Sequence, residues 1–150
     1  MARATASITV PGRVAEAEEL WYDRSRWASW VDGFGHVARL DESWPDAGAR
    51  LVWDSPPGGR GRVLEEVVSY VVRSGQTVHV EDERLEGTQK VRFEPGMDEV
   101  TITLTLEFNL KQSRMRPAAI ERYWVARTLS DSLRRTLQRF AYELRAQTDG

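Results

Sequence analysis

Residues 117–147, PAAIERYWVARTLSDSLRRTLQRFAYELRAQ, read as one long helix, and the rest of the chain has to be arranged to cover it. Pro117 suits a first turn, where its missing N–H has no intrahelical partner, and Ser113 just upstream is a candidate N-cap. After Gln147 the tail Thr-Asp-Gly has stop character. Tyr123, Ala126, Ser130, Leu133, Leu137, Phe140 and Leu144 recur at spacings of three and four, which predicts one apolar stripe, while Arg122, Arg135, Arg139 and Arg145 fall elsewhere. A stripe about thirty residues long needs a partner of equal reach, and a wide, curved antiparallel sheet supplies one.

The residues before it look like that sheet. Ala6–Val10 predicts a short strand ended by Pro11-Gly12, and Arg13–Tyr22 carries Val14, Ala17, Leu20 and Trp21 at helical spacing. Asp23 can cap a second short helix, Arg24–Val31, with Trp27, Trp30 and Val31 on its inner face. A loop, Asp32-Gly33-Phe34-Gly35, precedes strands at His36–Leu40, Ala49–Asp54, Gly61–Val72, Thr77–Glu83, Gln89–Glu94 and Glu99–Leu110. The last alternates Val100, Ile102, Leu104, Leu106 and Phe108 with polar residues, the mark of a half-buried strand. Short turns between successive strands allow only antiparallel neighbours, because a parallel pair needs a long crossover. The expectation is a single α+β domain over residues 1–150: strand, two short helices, a six-strand meander and the long helix.

Composition narrows the function classes. Hydrophobic residues at 41% and charged residues at 29% are ordinary for a globular chain, and a net charge of -2 gives no reason to expect DNA as a partner. With no cysteine, disulfide and thiolate chemistry are excluded. No apolar run reaches the ~18 residues a spanning helix needs, and the N-terminus lacks the basic and apolar regions of a signal peptide, so the chain reads as cytoplasmic without stable membrane insertion. Two histidines without cysteine give no metal-ligand spacing, so no metal is expected. The loop Pro57-Gly58-Gly59-Arg60-Gly61 lies between strands, outside any phosphate-binding context, and no nucleotide motif implies a cofactor.

The order of elements, the tryptophan-rich pair of helices from Trp21 to Trp30, and the run Gly87-Thr88-Gln89-Lys90-Val91-Arg92-Phe93-Glu94-Pro95 entering the last strand together resemble the SRPBCC superfamily, which includes START domains and polyketide cyclase/dehydrase-like proteins. The resemblance covers nearly the whole chain. It implies a helix-grip fold, in which a seven-stranded curved antiparallel sheet wraps the C-terminal helix and leaves a cavity for an apolar or amphipathic small molecule. It supplies no universal catalytic motif.

Candidate cavity residues are Trp21, Trp27, Trp30, Phe34, Trp53, Tyr70, Phe93, Leu104 and Leu106, with Tyr123, Trp124 and Arg127 as a mixed lining beneath the N-terminal half of the long helix. The polar candidates are His36, after a Gly-Phe-Gly loop, and His79, which shares a strand face with Glu81. Val78 and Val80 claim the opposite, inner face, which argues against His79, and Glu81-Asp82-Glu83 reads as a solvated strand end. Three functions follow as expectations. One is a carrier or sensor of a lipid- or polyketide-like molecule. Another is a cyclase or dehydratase of the polyketide type. The last is a protein or RNA interaction module using the basic outer face of the helix, since all but Lys90 and Lys111 of the 21 basic residues are arginine. Against the last, Asp131 can pair with Arg135 at a spacing of four and leave a merely solvated face. An open edge strand leaves a homodimer possible.

Overall fold

Alternation along the N-terminus and along the last strand gives the sheet its frame. In the computed structural model, which describes residues 1–111 and 118–149, strand β1 (Ala2–Pro11) runs antiparallel to β7 (Glu99–Leu110) from Ala2 opposite Phe108 to Pro11 opposite Glu99. Between them come α1 (Val14–Tyr22), a 3₁₀ turn (Arg24–Arg26), α2 (Trp27–Trp30), β2 (His36–Leu40), β3 (Arg50–Asp54), β4 (Arg62–Val71), β5 (Gly75–Glu81) and β6 (Leu85–Pro95). The chain closes with α3 (Ala118–Asp149). The seven strands form one antiparallel sheet in the order β1-β7-β6-β5-β4-β3-β2, the helix-grip arrangement the sequence implies.

Several boundaries differ from expectation for physical reasons. β1 starts before Ala6 because Ala2, Ala4 and Ala6 continue the inward alternation of Ile8 and Val10, and small alanines give a weak apolar signal. They also let α3 lie close along β1, one of its main contacts together with α2. The second helix is split: Asp23 Oδ1 accepts from Ser25 N and Oγ, which tightens the first turn into 3₁₀ geometry before α2 begins. β6 is longer than Gln89–Glu94 because its whole length pairs with β7. Gly87, within it, sits so close to β7 that a Cβ would collide with the Glu107 backbone oxygen, a close approach that suits a bent sheet. The helix runs past Gln147 to Asp149, and Arg26 Nη1 donates to Gln147 Oε1 at 3.3 Å, which ties down that last turn. Ser113 and Pro117 lie outside the described residues.

The core forms where α1, α2 and the C-terminal half of α3 cover the concave face. Trp21 and Trp30 lie with ring centroids 4.7 Å apart and planes tilted by 37°, and Phe140 meets them edge-on at 5.2 and 5.0 Å. Edge-to-face pairing of this kind adds about 0.5–1.5 kcal/mol per pair beyond area burial. On the other face, hydroxyl pairs link β1 to β7 at Ser7–Thr103 and Thr9–Thr101. Two ionic ties hold the helices to the sheet and loops. Buried Glu18 of α1 accepts from Arg73 N at 2.6 Å and from its Nη1 at 2.5 Å, fixing the β4–β5 turn where Arg73 adopts φ 67°. Asp32, in the loop after α2, takes bonds from Ser132, Arg135 and Arg139 of α3. Asp131 therefore pairs with Arg134 rather than with Arg135, which is committed to Asp32.

Candidate functional site

Between the sheet, the tryptophans of α1 and α2 and the middle of α3 lies a cavity of about 80 Å³. Its walls come from every layer of the fold: Trp21, Trp27, Trp30, Val31 and Asp32 from the helices and the loop, Trp53 from β3, Glu65 from β4, Gln76, Val78 and Val80 from β5, Gln89 and Val91 from β6, Leu104 from β7, and Ser132, Leu133 and Thr136 from α3. Trp44 and Arg60 complete it from two loops. Five of the six tryptophans thus face one space. A largely aromatic wall with a few placed polar groups is the usual make-up of a small-molecule site, although such sites typically enclose ~300–1,000 Å³. This one has the make-up at a smaller size.

The polar groups cluster around Trp53. Its Nε1 donates to Glu65 Oε2 at 2.7 Å, and the Arg60 guanidinium sits 5.6 Å from the centre of its ring. Arg60 Nε in turn donates to Asp82 Oδ2 at 2.9 Å, and Asp82 Oδ1 accepts from the backbone N–H groups of Arg84 and Leu85. Asp82 is therefore a buried anchor of the β5–β6 turn, which corrects its reading as part of a solvated strand end. Burial pushes the Glu65 carboxyl above the usual carboxylate range, and the Trp53 hydrogen bond and the Arg60 charge offset this only in part. Asp32 goes the other way. Burial alone would raise it, but bonds from Arg135 and Ser132 and the charges of Arg135 and Arg139 hold it below its ordinary value. Beside the cavity the buried Tyr22 hydroxyl is raised, chiefly by burial and then by Tyr70 and Glu18.

Of the residues expected to line a cavity, Trp21, Trp27, Trp30, Trp53 and Leu104 do so. Phe34, Phe93 and Leu106 stand behind the wall: Phe34 packs on Trp27 and Trp53, Phe93 meets Trp21 edge-on, and Leu106 is core. Tyr70 meets Tyr22 edge-on at 5.2 Å beside a second small cluster of Ala49, Val67 and Val78. Tyr123, Trp124 and Arg127 are corrections. Tyr123 is 58% and Trp124 52% exposed, and Arg127 reaches only the Tyr123 hydroxyl, because the inward stripe runs through Val125, Ala126, Leu129 and Leu133 instead. The cavity consequently lies against the middle of α3 and not under its first turns.

Both histidines lie away from the cavity. His36 is exposed at the end of β2 beside Asp54, and His79 points to the outer face, 3.2 Å from Glu86, as the inward valines beside it require. The basic face of α3 is partly spent on pairs within the chain, with Arg134, Arg135 and Arg139 all engaged. Sequence reading missed Glu65, Arg60, Gln76, Gln89 and Asp32. Glu65 was findable, since it lies midway between the inward Val63 and Val67 and shares their face by strand parity. Among the described residues no group of three His, Asp or Glu side chains could hold a metal ion, and no helix is long and apolar enough to cross a membrane.

Comparison with solved structures finds the same fold at low identity. TTHA0849 from Thermus thermophilus superposes with a TM-score of 0.76 at 16% identity, over 97% of this chain and 98% of that one. A START superfamily protein from Mycobacterium smegmatis gives 0.73 at 13% identity, over 98% and 99%. The di-domain ARO/CYC StfQ from the steffimycin biosynthetic pathway gives 0.79 at 14% identity over 99% of this chain, which spans only 52% of StfQ. No curated protein matches by sequence. A family described as polyketide cyclase / dehydrase and lipid transport matches residues 1–145, and with the helix-grip sheet and the cavity beneath α3 in place, the chain belongs to that family within the SRPBCC superfamily.

Proposed function

We propose that the protein binds a small apolar or amphipathic molecule in the cavity between sheet and α3, as a carrier or sensor. The observation that carries this reading is the convergence of five tryptophans and a few polar groups on one space between the sheet and α3. The cavity as it stands takes a fragment-sized group. A longer ligand extends under the N-terminal half of α3, where Val125, Ala126, Leu129 and Leu133 are only partly buried. Family membership supports binding, and the aromatic lining favours an apolar ligand body. Native mass spectrometry of protein purified from its own host tests this directly. A stoichiometric small molecule released on denaturation is the expected result, and a bare protein whose melting temperature no apolar ligand shifts would refute the reading.

Glu65 favours a second reading, proton-transfer catalysis of the cyclase or dehydratase type. A carboxyl that burial pushes above the usual carboxylate range, set in the wall of a cavity beside Arg60, is suited to exchange a proton with a bound ligand. In that case Glu65→Gln keeps ligand binding and lowers turnover by roughly 10²–10⁴-fold. If turnover on a bound ligand survives the substitution, the carrier reading stands alone.

A further inference from the structure

The two edges of the sheet are built differently. An edge strand exposes a row of backbone N–H and C=O groups, and proteins commonly blunt it with short length, charged side chains, a bulge or proline. The β2 edge has three of these features: it is five residues long, its pairing with β3 slips between Val37 and Arg39, and it carries His36 and Arg39. The β1 edge has almost none. Its ten residues pair with β7 in unbroken register from Ala2 to Pro11, Arg3 is its one charge, and its proline comes at the end.

Strand parity shows which backbone groups face outward. Gly12 N donates to Asp98 O in continuation of the β1–β7 register, so the even-numbered residues of β1 form the hydrogen-bonded pairs with β7. The odd-numbered residues form the closer, non-hydrogen-bonded pairs, which brings the Ser7 and Thr103 hydroxyls to 3.1 Å and those of Thr9 and Thr101 to 2.8 Å. The backbone N–H and C=O of Arg3, Thr5, Ser7 and Thr9 therefore point away from β7, and no other strand pairs with them among the described residues. Their side chains are exposed.

We propose that this edge pairs with the same edge of a second copy of the chain, antiparallel about a two-fold axis at Ser7. In that register Ser7 faces the partner's Ser7, Thr5 faces the partner's Thr9, and Arg3 faces the partner's Pro11, so outward N–H groups meet outward carbonyls along the strand. The strand also carries its own charge complement. Arg3 marks its N-terminal end and makes no ion pair among the described residues, even with Glu107 opposite it on β7. Glu99 of β7, exposed beside Pro11 at the other end, is likewise without an ion pair. The two-fold sets Arg3 two strand spacings, about 10 Å, from the partner's Glu99, a span that two extended side chains cover. Between these ends the outer face holds only the hydroxyls of Thr5, Ser7 and Thr9, which suit cross-strand hydroxyl pairs. A foreign strand gains the backbone bonds but not this charge match. Opposed residues share a face, so the two seven-stranded sheets join into one with both α3 helices on the same side.

Sedimentation velocity over a range of protein concentrations, combined with backbone amide exchange followed by NMR, tests this. The expected result is a reversible monomer–dimer equilibrium in which exchange at Thr5, Ser7 and Thr9 slows as dimer forms, while exchange in β2 does not change. Ser7→Pro removes an outward N–H and leaves the β1–β7 hydrogen bonds in place, so it should raise the dimer dissociation constant at least about tenfold in a chain that still folds. Arg3→Glu should weaken the dimer several-fold, and adding Glu99→Arg should restore it, a rescue that a folding defect would not give. A chain that stays monomeric at millimolar concentration overturns the proposal. So does a dimer that Ser7→Pro leaves untouched, one whose Thr5, Ser7 and Thr9 amides exchange freely, or an open-ended assembly. None of these outcomes bears on cavity binding.

Discussion

Between Leu137 and Leu144, α3 turns Leu137, Phe140, Ala141 and Leu144 into the core with almost no exposed surface, whereas Ile120, Tyr123 and Trp124 near its start are half in solvent. Both segments hold large apolar and aromatic residues, so composition does not separate them. What separates them is the cover. Phe140 sits against Trp21 and Trp30, which α1 and α2 carry across the concave face, and Thr136 accepts from the Asp32 N–H at 2.9 Å. An amphipathic pattern says which residues can be buried, and the reach of the facing elements says which are. The cavity lies at the border between the two regimes, at Ser132, Leu133 and Thr136.

The contrast breaks first if substitutions at the two ends cost the same. Phe140→Ala should destabilise by ~3–5 kcal/mol, because it opens a hole under two indoles, while Trp124→Ala should stay within ~0.5 kcal/mol, both read from denaturant unfolding. Asp32→Asn comes next, with a loss of about 2 kcal/mol as the loop comes away from α3. The sign of its pH dependence is fixed. The folded value of Asp32 lies below its unfolded value, so the stabilisation is present above the ordinary carboxylate range and is lost as pH falls through the folded value; the deficit of the Asn variant should therefore shrink in acid. Glu65→Gln has the opposite sign. Glu65 is raised in the fold, so ionising it costs stability, and the variant should melt higher than the parent above the ordinary carboxylate range, with the difference shrinking as pH falls through that range. The smallest effect sharpens the border: Arg127→Ala, which removes only an exposed contact to Tyr123, should leave both melting and ligand retention unchanged.

The fold was legible because β3 and β7 alternate and turn residues separate the other strands, and β7 matches its expected span of Glu99–Leu110, while the run Val67–Val72 fits helix or strand by periodicity and only its β-branched content favours the strand. The inner alternation of β7 also places Leu104 on the cavity wall. The site was legible only in its aromatic half. Trp21, Trp27, Trp30 and Trp53 are bulky, and wherever the core has a gap their rings border it. The polar half depends on facts that no local pattern contains. Arg60 comes from a loop whose glycines suggested only a turn, and its burial follows from an ion pair with Asp82, twenty-two positions along the chain. Asp32 looked like a loop residue and is one, but its partners sit a hundred residues later on α3. Tyr123 misled for the converse reason: it has the right spacing for the stripe, and only the position of the sheet shows that the first turns of α3 are thinly covered.

The pairing of β1 with β7 bears on synthesis of the chain. Ala2 faces Phe108, so β1 has its one sheet partner among the described residues in β7, the latest of the seven strands in chain order. A ribosome adding ~5–20 residues per second needs roughly 5–20 s to produce the intervening ~100 residues, and until then β1 emerges with both edges open. The remaining neighbours, β2 through β7, form hairpins in chain order and can fold as they appear. Pairing of β1 with β7 therefore waits on synthesis of β7 rather than on local propensity.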